Sequence, residues 1–303
     1  MAHRRDSIRL LSPAKINLGL RVVARRPDGY HDIESAFQMV SLADEIVLTA
    51  KEGPVTCEVE GAELPTDEEN LAVKAALALK SHQGVEGGVH IAISKRIPVS
   101  AGLGGGSSNA AAMLLGLRKL WGLDISDGEL HTLAARLGAD VPFFLASPAA
   151  WAEGKGERLS PLPPLEGLSV VLVKPDVSVS TAWAYGEVTF GLTRAEKALS
   201  MLRFLLEMKR FQEIGPYLHN DFESLVEGVH PDIRTIRAAL RDHGALGAAL
   251  SGSGPTVFGL FLDSARAVVS SLERPGWFIV ATEPVTDWPE MLFAPVKTKG
   301  PEA

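Results

Sequence analysis

The chain of 303 residues has one cysteine, Cys57, so it cannot close an internal disulfide, and no Cys/His cluster surrounds it. Its setting, Val55-Thr56-Cys57-Glu58-Val59, alternates like a strand, which makes Cys57 a structural residue. Long apolar runs are also missing. Ile8–Leu20 is interrupted by Lys15 and Asn17, and Ala245–Leu262 by Ser251, Gly252, Ser253, Gly254 and Pro255. A helix crossing the hydrocarbon core needs about 20 predominantly apolar residues, so no membrane partner is expected. The basic opening Met1–Asp6 leads into no apolar signal core, and a cytoplasmic location is the expectation. Excess positive charge is absent too: 30 Lys and Arg stand against 37 Asp and Glu, a net charge of −7. A broad footprint for nucleic acid is therefore lacking, and no nucleic-acid partner is expected. There is no internal repeat, heptad run or low-complexity tract, and only Lys297–Ala303 reads as a tail.

What remains is an ordinary globular composition, 46% hydrophobic and 22% charged, over a length that suits one large or two moderate domains. Ile46–Thr49, Val55–Val59, Val89–Ile93 and Val170–Val173 read as strands rich in β-branched residues. Thr66 with Glu69 predicts a capping box before a helix over Leu71–Lys80, and Ser126 with Glu129 predicts another before Leu130–Leu137, which Gly138 ends. Ile233–Asp242 has Ile233, Ile236 and Leu240 on one helical face and stops near Gly244. Further helices are expected from about Ala195 to Arg210 and near Ala265–Leu272, with a strand-turn-strand around Ser251–Pro255 and a strand at Trp277–Ala281. The sharpest break in composition is Ser160–Gly167, where Pro163 and Pro164 fix an extended backbone. Two domains are expected on either side of it, 1–163 and 164–303.

The most informative stretch is Pro98-Val99-Ser100-Ala101-Gly102-Leu103-Gly104-Gly105-Gly106-Ser107-Ser108-Asn109, which runs directly into the helix-forming Ala110–Leu115. Glycines let backbone N–H groups approach a bulky anion, and a helix N-terminus favours phosphate; Ser107 or Ser108 is the expected cap. A Walker A loop would need Gly-Lys-Ser/Thr after its last glycine, where Gly106-Ser107-Ser108 stands. A dinucleotide fingerprint starting at Gly102 would need glycine or alanine where Ser107 stands. The His-Arg-Asp and Asp-Phe-Gly elements of protein kinases are absent as well.

This loop, together with Ser12-Pro13-Ala14-Lys15-Ile16-Asn17-Leu18 and Leu250-Ser251-Gly252-Ser253-Gly254-Pro255-Thr256-Val257-Phe258, resembles the three motifs of the GHMP kinases, in order and over most of the chain. The resemblance implies a two-domain α+β GHMP kinase architecture with the active site in the cleft between domains. Within the family, Arg26-Pro27-Asp28-Gly29-Tyr30-His31 and Leu137-Gly138-Ala139-Asp140-Val141-Pro142-Phe143-Phe144 are similar to the member whose acceptor is a CDP-linked methylerythritol. It implies ATP- and Mg2+-dependent phosphorylation of the acceptor's 2-hydroxyl. A monomer or weak homodimer is expected.

Carried over residue by residue, the resemblance makes Asp140 the group facing the acceptor hydroxyl. Lys15 is close enough to pair with it and reach the γ-phosphate. Pro98, Val99, Ser100, Ala101, Gly102, Leu103, Gly104, Gly105, Gly106, Ser107 and Ser108 would wrap the triphosphate, with Asn70 and Leu71 near the adenine and Lys95 flanking the nucleotide. Tyr30 and His31 would take the cytosine, since an aromatic face stacks on a base while a histidine bonds its polar edge. Tyr185 is the expected second aromatic, in the same segment as Thr181. Asn17 would bond the methylerythritol and Phe37 would pack near the sugar. The resemblance assigns no residue to the metal. Two other readings stand beside this one: another small-molecule GHMP kinase, of the homoserine or mevalonate type, and a catalytically silent binding protein on the same fold.

Overall fold

The computed structural model describes residues 7–188 and 194–293; the expected tail at Lys297–Ala303 and the basic opening Met1–Asp6 lie outside them. Two long strands dominate the first half, β1 (Ser7–Arg25) and β2 (His31–Lys51), paired antiparallel through a turn at Pro27–Gly29. Strands β3 (Thr56–Glu60) and β4 (Gly88–Ser94) continue the sheet on the β2 side, parallel to each other because helix α1 (Leu71–Gln83) carries the chain across between them.

Helix α1 does not start from the expected capping box. Asn70 is its N-cap, with Oδ1 accepting from Ala72 N at 2.9 Å, because Asn70 has the extended backbone that a cap needs directly before the helix. Helix α2 (Gly105–Trp121) and helix α3 (Asp127–Leu137) cover the same face of the sheet, and the one-turn α4 (Phe143–Ala146) follows. The Ser126–Glu129 box at α3 is formed in both directions. The small stripe Ala110–Ala112 and Gly116 lets α2 lie close on the sheet: a Cβ on Gly116 would come within 2.5 Å of Leu10 Cδ1. Strands β5 (Ala149–Gly154) and β6 (Arg158–Pro161) form a hairpin that pairs with β2.

Beyond the proline-rich break comes a four-stranded sheet in the order β11-β7-β10-β9, built from β7 (Ser169–Lys174), β9 (Gly247–Leu250), β10 (Val257–Phe261) and β11 (Phe278–Thr282). Between β7 and β9 lie α5 (Thr181–Glu187), α6 (Arg194–Glu207), the short strand β8 (His219–Asn220), α7 (Glu223–Val229) and α8 (Asp232–Asp242); α9 (Arg266–Ser271) precedes β11. The strand β8 leaves this half and adds to the first sheet, parallel to β1.

The two sheets share a core. Ile16 and Leu18 of β1, Leu172 of β7, Phe258 of β10 and Leu202 of α6 belong to one buried cluster. The break between the sheets is tied into it: Leu162, Leu165 and Leu168 are buried, and Leu165 N donates to Gln38 Oε1 at 2.8 Å. Its prolines set the direction of the chain while its leucines anchor it.

Cys57 lies on β3, partly buried against the first core, where burial pushes its thiol up to about 11. It is thus a poor nucleophile at neutral pH. Among the described residues no helix is long and apolar enough to cross a membrane. Truncating the exposed cap in Ser126→Ala should lower unfolding stability by about 1 kcal/mol, read from urea melts, because the Ser126 hydroxyl, which accepts from Glu129 N and donates to Glu129 Oε2, is lost.

Candidate active site

A cavity of about 1020 Å³ is lined by the glycine-rich loop, by β1 and β2, and by α5 and the turn after β9. The loop reaches it through three left-handed residues, Ser100 (φ 52°), Gly102 (φ 74°) and Gly104 (φ 68°). Gly104 is the N-cap of α2, so Ser107 and Ser108 lie inside the helix rather than capping it, and the first helical bond runs from Ser108 N to Gly104 O. The N–H groups of Gly105, Gly106 and Ser107, which precede that first bond, thus belong to a helix terminus that borders the cavity. Such a terminus is a ready anion site.

Pro98 through Ser107 all line the cavity, whereas Ser108 does not: it is buried, and Ser12 Oγ donates to its Oγ at 2.7 Å. A lone lysine in Ile8–Leu20 would ordinarily be solvated, yet Lys15 is only 4% exposed. Its backbone N–H bonds Leu103 O of the loop at 2.9 Å, and its Nζ donates to Asn17 Oδ1 at 2.6 Å and sits 3.5 Å from Asp140 Oδ2. Lys15 and Asn17 share one face of β1, and Phe37 stands opposite Asn17 in register, so the ammonium lies 4.8 Å from the Phe37 ring centre. Asn17 is held in turn by Ser35, whose Oγ accepts from Nδ2 at 2.9 Å and donates to Gly19 O at 2.6 Å. Asp140 reaches this centre from the turn between α3 and α4, and remains partly open to the cavity.

Lys95 also lines the cavity, but as half of a buried ion pair with Asp44. Asp44 is fully buried and accepts from Arg96 N at 2.8 Å, Ile97 N at 2.9 Å and Asn109 Nδ2 at 3.0 Å. Asn109 also donates to Ser12 Oγ. A buried carboxylate with so many donors is well compensated, and removing one partner of such a pair typically costs roughly 3–5 kcal/mol. Sequence reasoning missed Asp44, Asn109 and Ser12 as supports of the loop; their only local signal was polar residues in strongly apolar or small-residue surroundings. Asn70 and Leu71 border the cavity beside Leu64, Pro65 and Glu69, with Asn70 fixed by its cap and by Nδ2 donating to Pro65 O at 2.8 Å.

The other end of the cavity is aromatic. His31 and Tyr185 have ring centres 5.1 Å apart, and Tyr185 packs edge-on to Phe222 at 4.7 Å. Tyr30 is 56% exposed, and Lys155, another residue not foreseen, places its ammonium 4.5 Å from that ring centre. Burial, with the Arg25 charge second, holds His31 below the ordinary histidine value, and burial, with the Asp140 charge second, pushes the Tyr185 hydroxyl up. Both are therefore neutral at pH 7. Thr181 joins this end to the second glycine turn through Oγ1 and Ser253 Oγ, 2.9 Å apart.

That turn, Ser251–Gly254, lies directly on the first loop. Ser251 Oγ donates to Gly102 O at 3.0 Å, and Gly252 and Ser253 line the cavity. Every expected site residue except Ser108 thus borders one cavity, drawn from both halves of the chain.

Residues 70–147 match the GHMP kinases N-terminal domain and residues 197–276 the GHMP kinases C-terminal domain. The chain is 43% identical over 275 residues to the 4-diphosphocytidyl-2-C-methyl-D-erythritol kinase of Syntrophus aciditrophicus, covering 90% of this chain and 97% of that one. It is 44% identical over 281 residues to the protein of that name from Geobacter metallireducens, covering 91% and 98%. Among solved structures, a 4-(cytidine 5'-diphospho)-2C-methyl-D-erythritol kinase superposes with a TM-score of 0.76 at 36% identity, covering 91% of this chain and 99% of that one. Homoserine kinase from Cytophaga hutchinsonii superposes with a TM-score of 0.78 at 21% identity, over 94% and 97%, a likeness of fold alone.

At Gly102, a Cβ would lie 2.1 Å from Ser251 O and would sit on a backbone with φ of 74°. Gly102→Ala should therefore push the two glycine turns apart and weaken binding of a non-hydrolysable ATP analogue by roughly tenfold or more, about 1.4 kcal/mol, measured by titration calorimetry.

Proposed function

The chain belongs to the GHMP kinase family, and from that premise we propose that it transfers the γ-phosphoryl group of ATP to the 2-hydroxyl of 4-diphosphocytidyl-2-C-methyl-D-erythritol, giving the 2-phosphate and ADP. It is a small-molecule kinase. The observation that carries the residue assignment is the Lys15–Asp140 pair, 3.5 Å apart, between the N-terminus of α2 and the aromatic end of the same cavity.

Phosphoryl transfer asks little covalent chemistry of a protein beyond holding the acceptor in line and stabilising charge. The start of α2 and the backbone of Pro98–Gly106 hold the triphosphate, whose charge the N–H groups and the helix dipole favour. Asp140 accepts the proton of the acceptor hydroxyl as the oxygen bonds the γ-phosphorus and the bond to the β–γ bridging oxygen breaks. Lys15 is fixed by Asn17 and stays within reach of both Asp140 and the equatorial oxygens, so it orients the carboxylate and stabilises charge on the transferring group. Asn17 keeps that ammonium in place and faces the methylerythritol. Phe37 walls the same pocket. Tyr30 and Tyr185 offer faces to the cytosine, and neutral His31 offers a ring nitrogen to its polar edge.

Among the described residues there is no cluster of three or more His, Cys, Asp or Glu suited to an ion, and the first turn of α2 carries no acidic residue. Mg2+ dehydrates reluctantly and is often bound through substrate phosphates with few protein groups. The donor set fits that mode: the Ser107 hydroxyl, at the mouth of the loop, is the protein group that would hold it, while Ser108 is committed to Ser12. Bound there with ATP, the metal would supply neutralisation of the triphosphate charge.

A coupled ADP-release assay tests the whole reading. CDP-methylerythritol should be turned over, whereas homoserine, mevalonate and galactose should not; turnover of one of those instead would remove the cytosine assignment. Lys15→Ala and Asp140→Ala should each lower kcat by ~100-fold or more while leaving ATP affinity within a few-fold. Since His31 is held below the ordinary histidine value of 6.5, KM for the acceptor should be flat from neutral pH down to that value and rise only beneath it. That acid-side rise should vanish in His31→Ala, in which KM is already high.

A further inference from the structure

The segment His219–Glu223 is used by none of the steps above, yet it bonds both β1 and the second glycine turn. Its backbone extends the first sheet: Gly19 pairs with His219 and Leu20 with Asn220, parallel, and Asp221 N bonds Leu20 O at 3.0 Å. The Asp221 carboxylate accepts from Val22 N at 2.7 Å and from His219 Nε2 at 2.7 Å. The segment is thereby fastened to β1, the strand that carries Lys15 and Asn17.

The side chains of Asn220 and Glu223 reach the other way, to the second glycine turn and the residue before it. Asn220 is 4% exposed, and its Nδ2 donates to Leu250 O and to Gly252 O, both at 2.8 Å, while its Oδ1 accepts from Phe222 N at 2.9 Å. Glu223 Oε2 accepts from Leu250 N at 3.1 Å. The turn so held faces two ways. Ser251 Oγ bonds Gly102 O of the phosphate loop, and Ser253 Oγ bonds Thr181 at the aromatic end. The space between the turns is too small to absorb error, since a Cβ on Gly252 would already lie 3.1 Å from Gly102 O.

We infer that Asn220 is a positioning residue for phosphoryl transfer: one buried amide, anchored on the strand of Lys15, sets Gly252 and Ser253 against the phosphate loop on one side and the acceptor pocket on the other. Both Nδ2 protons are used on carbonyls, one at the end of β9 and one in the turn, so no hydrophobic replacement can hold it, and an aspartate would aim a carboxylate oxygen at those carbonyls. The inference rests on the kinase reading for its acceptor half and on the loop geometry alone for its nucleotide half.

Asn220→Ala is compared with the parent enzyme, with Ser253→Ala and with Ser126→Ala, the last being a distant cap whose loss affects stability alone. Asn220→Ala should raise KM for both ATP and CDP-methylerythritol and lower kcat/KM by ~100-fold, the scale of a displacement of about an ångström in a reacting centre. Its affinity for a non-hydrolysable ATP analogue should fall in step. Ser253→Ala, which keeps Asn220 and loses only the Thr181 bond, should raise KM for the acceptor alone, and Ser126→Ala should shift neither constant. Asn220→Ser retains one donor and should show the pattern of the alanine variant at smaller amplitude; it also serves as the variant to measure should the alanine form fail to fold. Constants for Asn220→Ala, or for Asn220→Ser in its place, within twofold of the parent would overturn the inference, as would losses in kcat that follow the folded fraction with both KM values unchanged. If the parent turns over no CDP-linked acceptor, the proposed function fails, and the ATP-analogue affinities of the same variants still decide the role of Asn220.

Discussion

The site depends on one close approach between backbones. Gly102 lies so near Ser251 that a single methyl group would overlap its carbonyl oxygen, and it adopts a φ of 74° that side chains disfavour. Because Gly102 belongs to the loop before α2 and Ser251 to the turn after β9, this contact joins the two sheets at the place where the nucleotide would lie. The glycines thus do two things: they leave N–H groups free to meet an anion, and they let two turns meet without a spacer.

Behind that contact is a polar layer that a purely apolar core could not replace. Asp44 collects Lys95, two backbone N–H groups and Asn109, and Asn109 of α2 passes the network on to Ser12, which donates back to Ser108 of the same helix. Every one of these groups is buried or nearly so, which makes their geometry expensive to change, and the loop inherits that rigidity. On the other side, Lys15 is tied to the loop through its own backbone and to Asn17 through its ammonium. The proposed reacting centre is therefore assembled from groups whose freedom was removed during folding, which is what preorganised electrostatic catalysis requires.

Local patterns were legible wherever the physical cause was local. Alternation announced β3 and β4, and the box at Ser126 and Glu129 formed as expected, because its partners are three residues apart. The Thr66–Glu69 box did not form, since Asn70, one residue later, has its side chain on Ala72 N and takes the cap. Likewise Gly104 took the cap expected of Ser107 or Ser108: a left-handed residue there turns the loop into the helix, and Ser108 found a better partner across the core in Ser12. Both differences arise from competition among adjacent candidates that a spacing rule cannot rank.

The chain's own residues, read in order, determined the glycine-rich loop that opens α2, its distinction from Walker A and dinucleotide loops, and, through the resemblance of three motifs, the family and the pairing of Lys15 with Asp140. These are properties of short segments, and short segments carry their own signals. Only the tertiary structure decided that Lys95 is neutralised by Asp44, that Lys155 covers Tyr30, and that Asn220 holds the second glycine turn. Those contacts join residues some 30 to 125 positions apart, as Asn220 to Gly252 and Lys155 to Tyr30, and no periodicity or capping rule reaches so far. The first two exist because β4 and β5 both pair with β2; the last exists because β8 leaves its own half of the chain to pair with β1, a choice made by the packing of two sheets on one core.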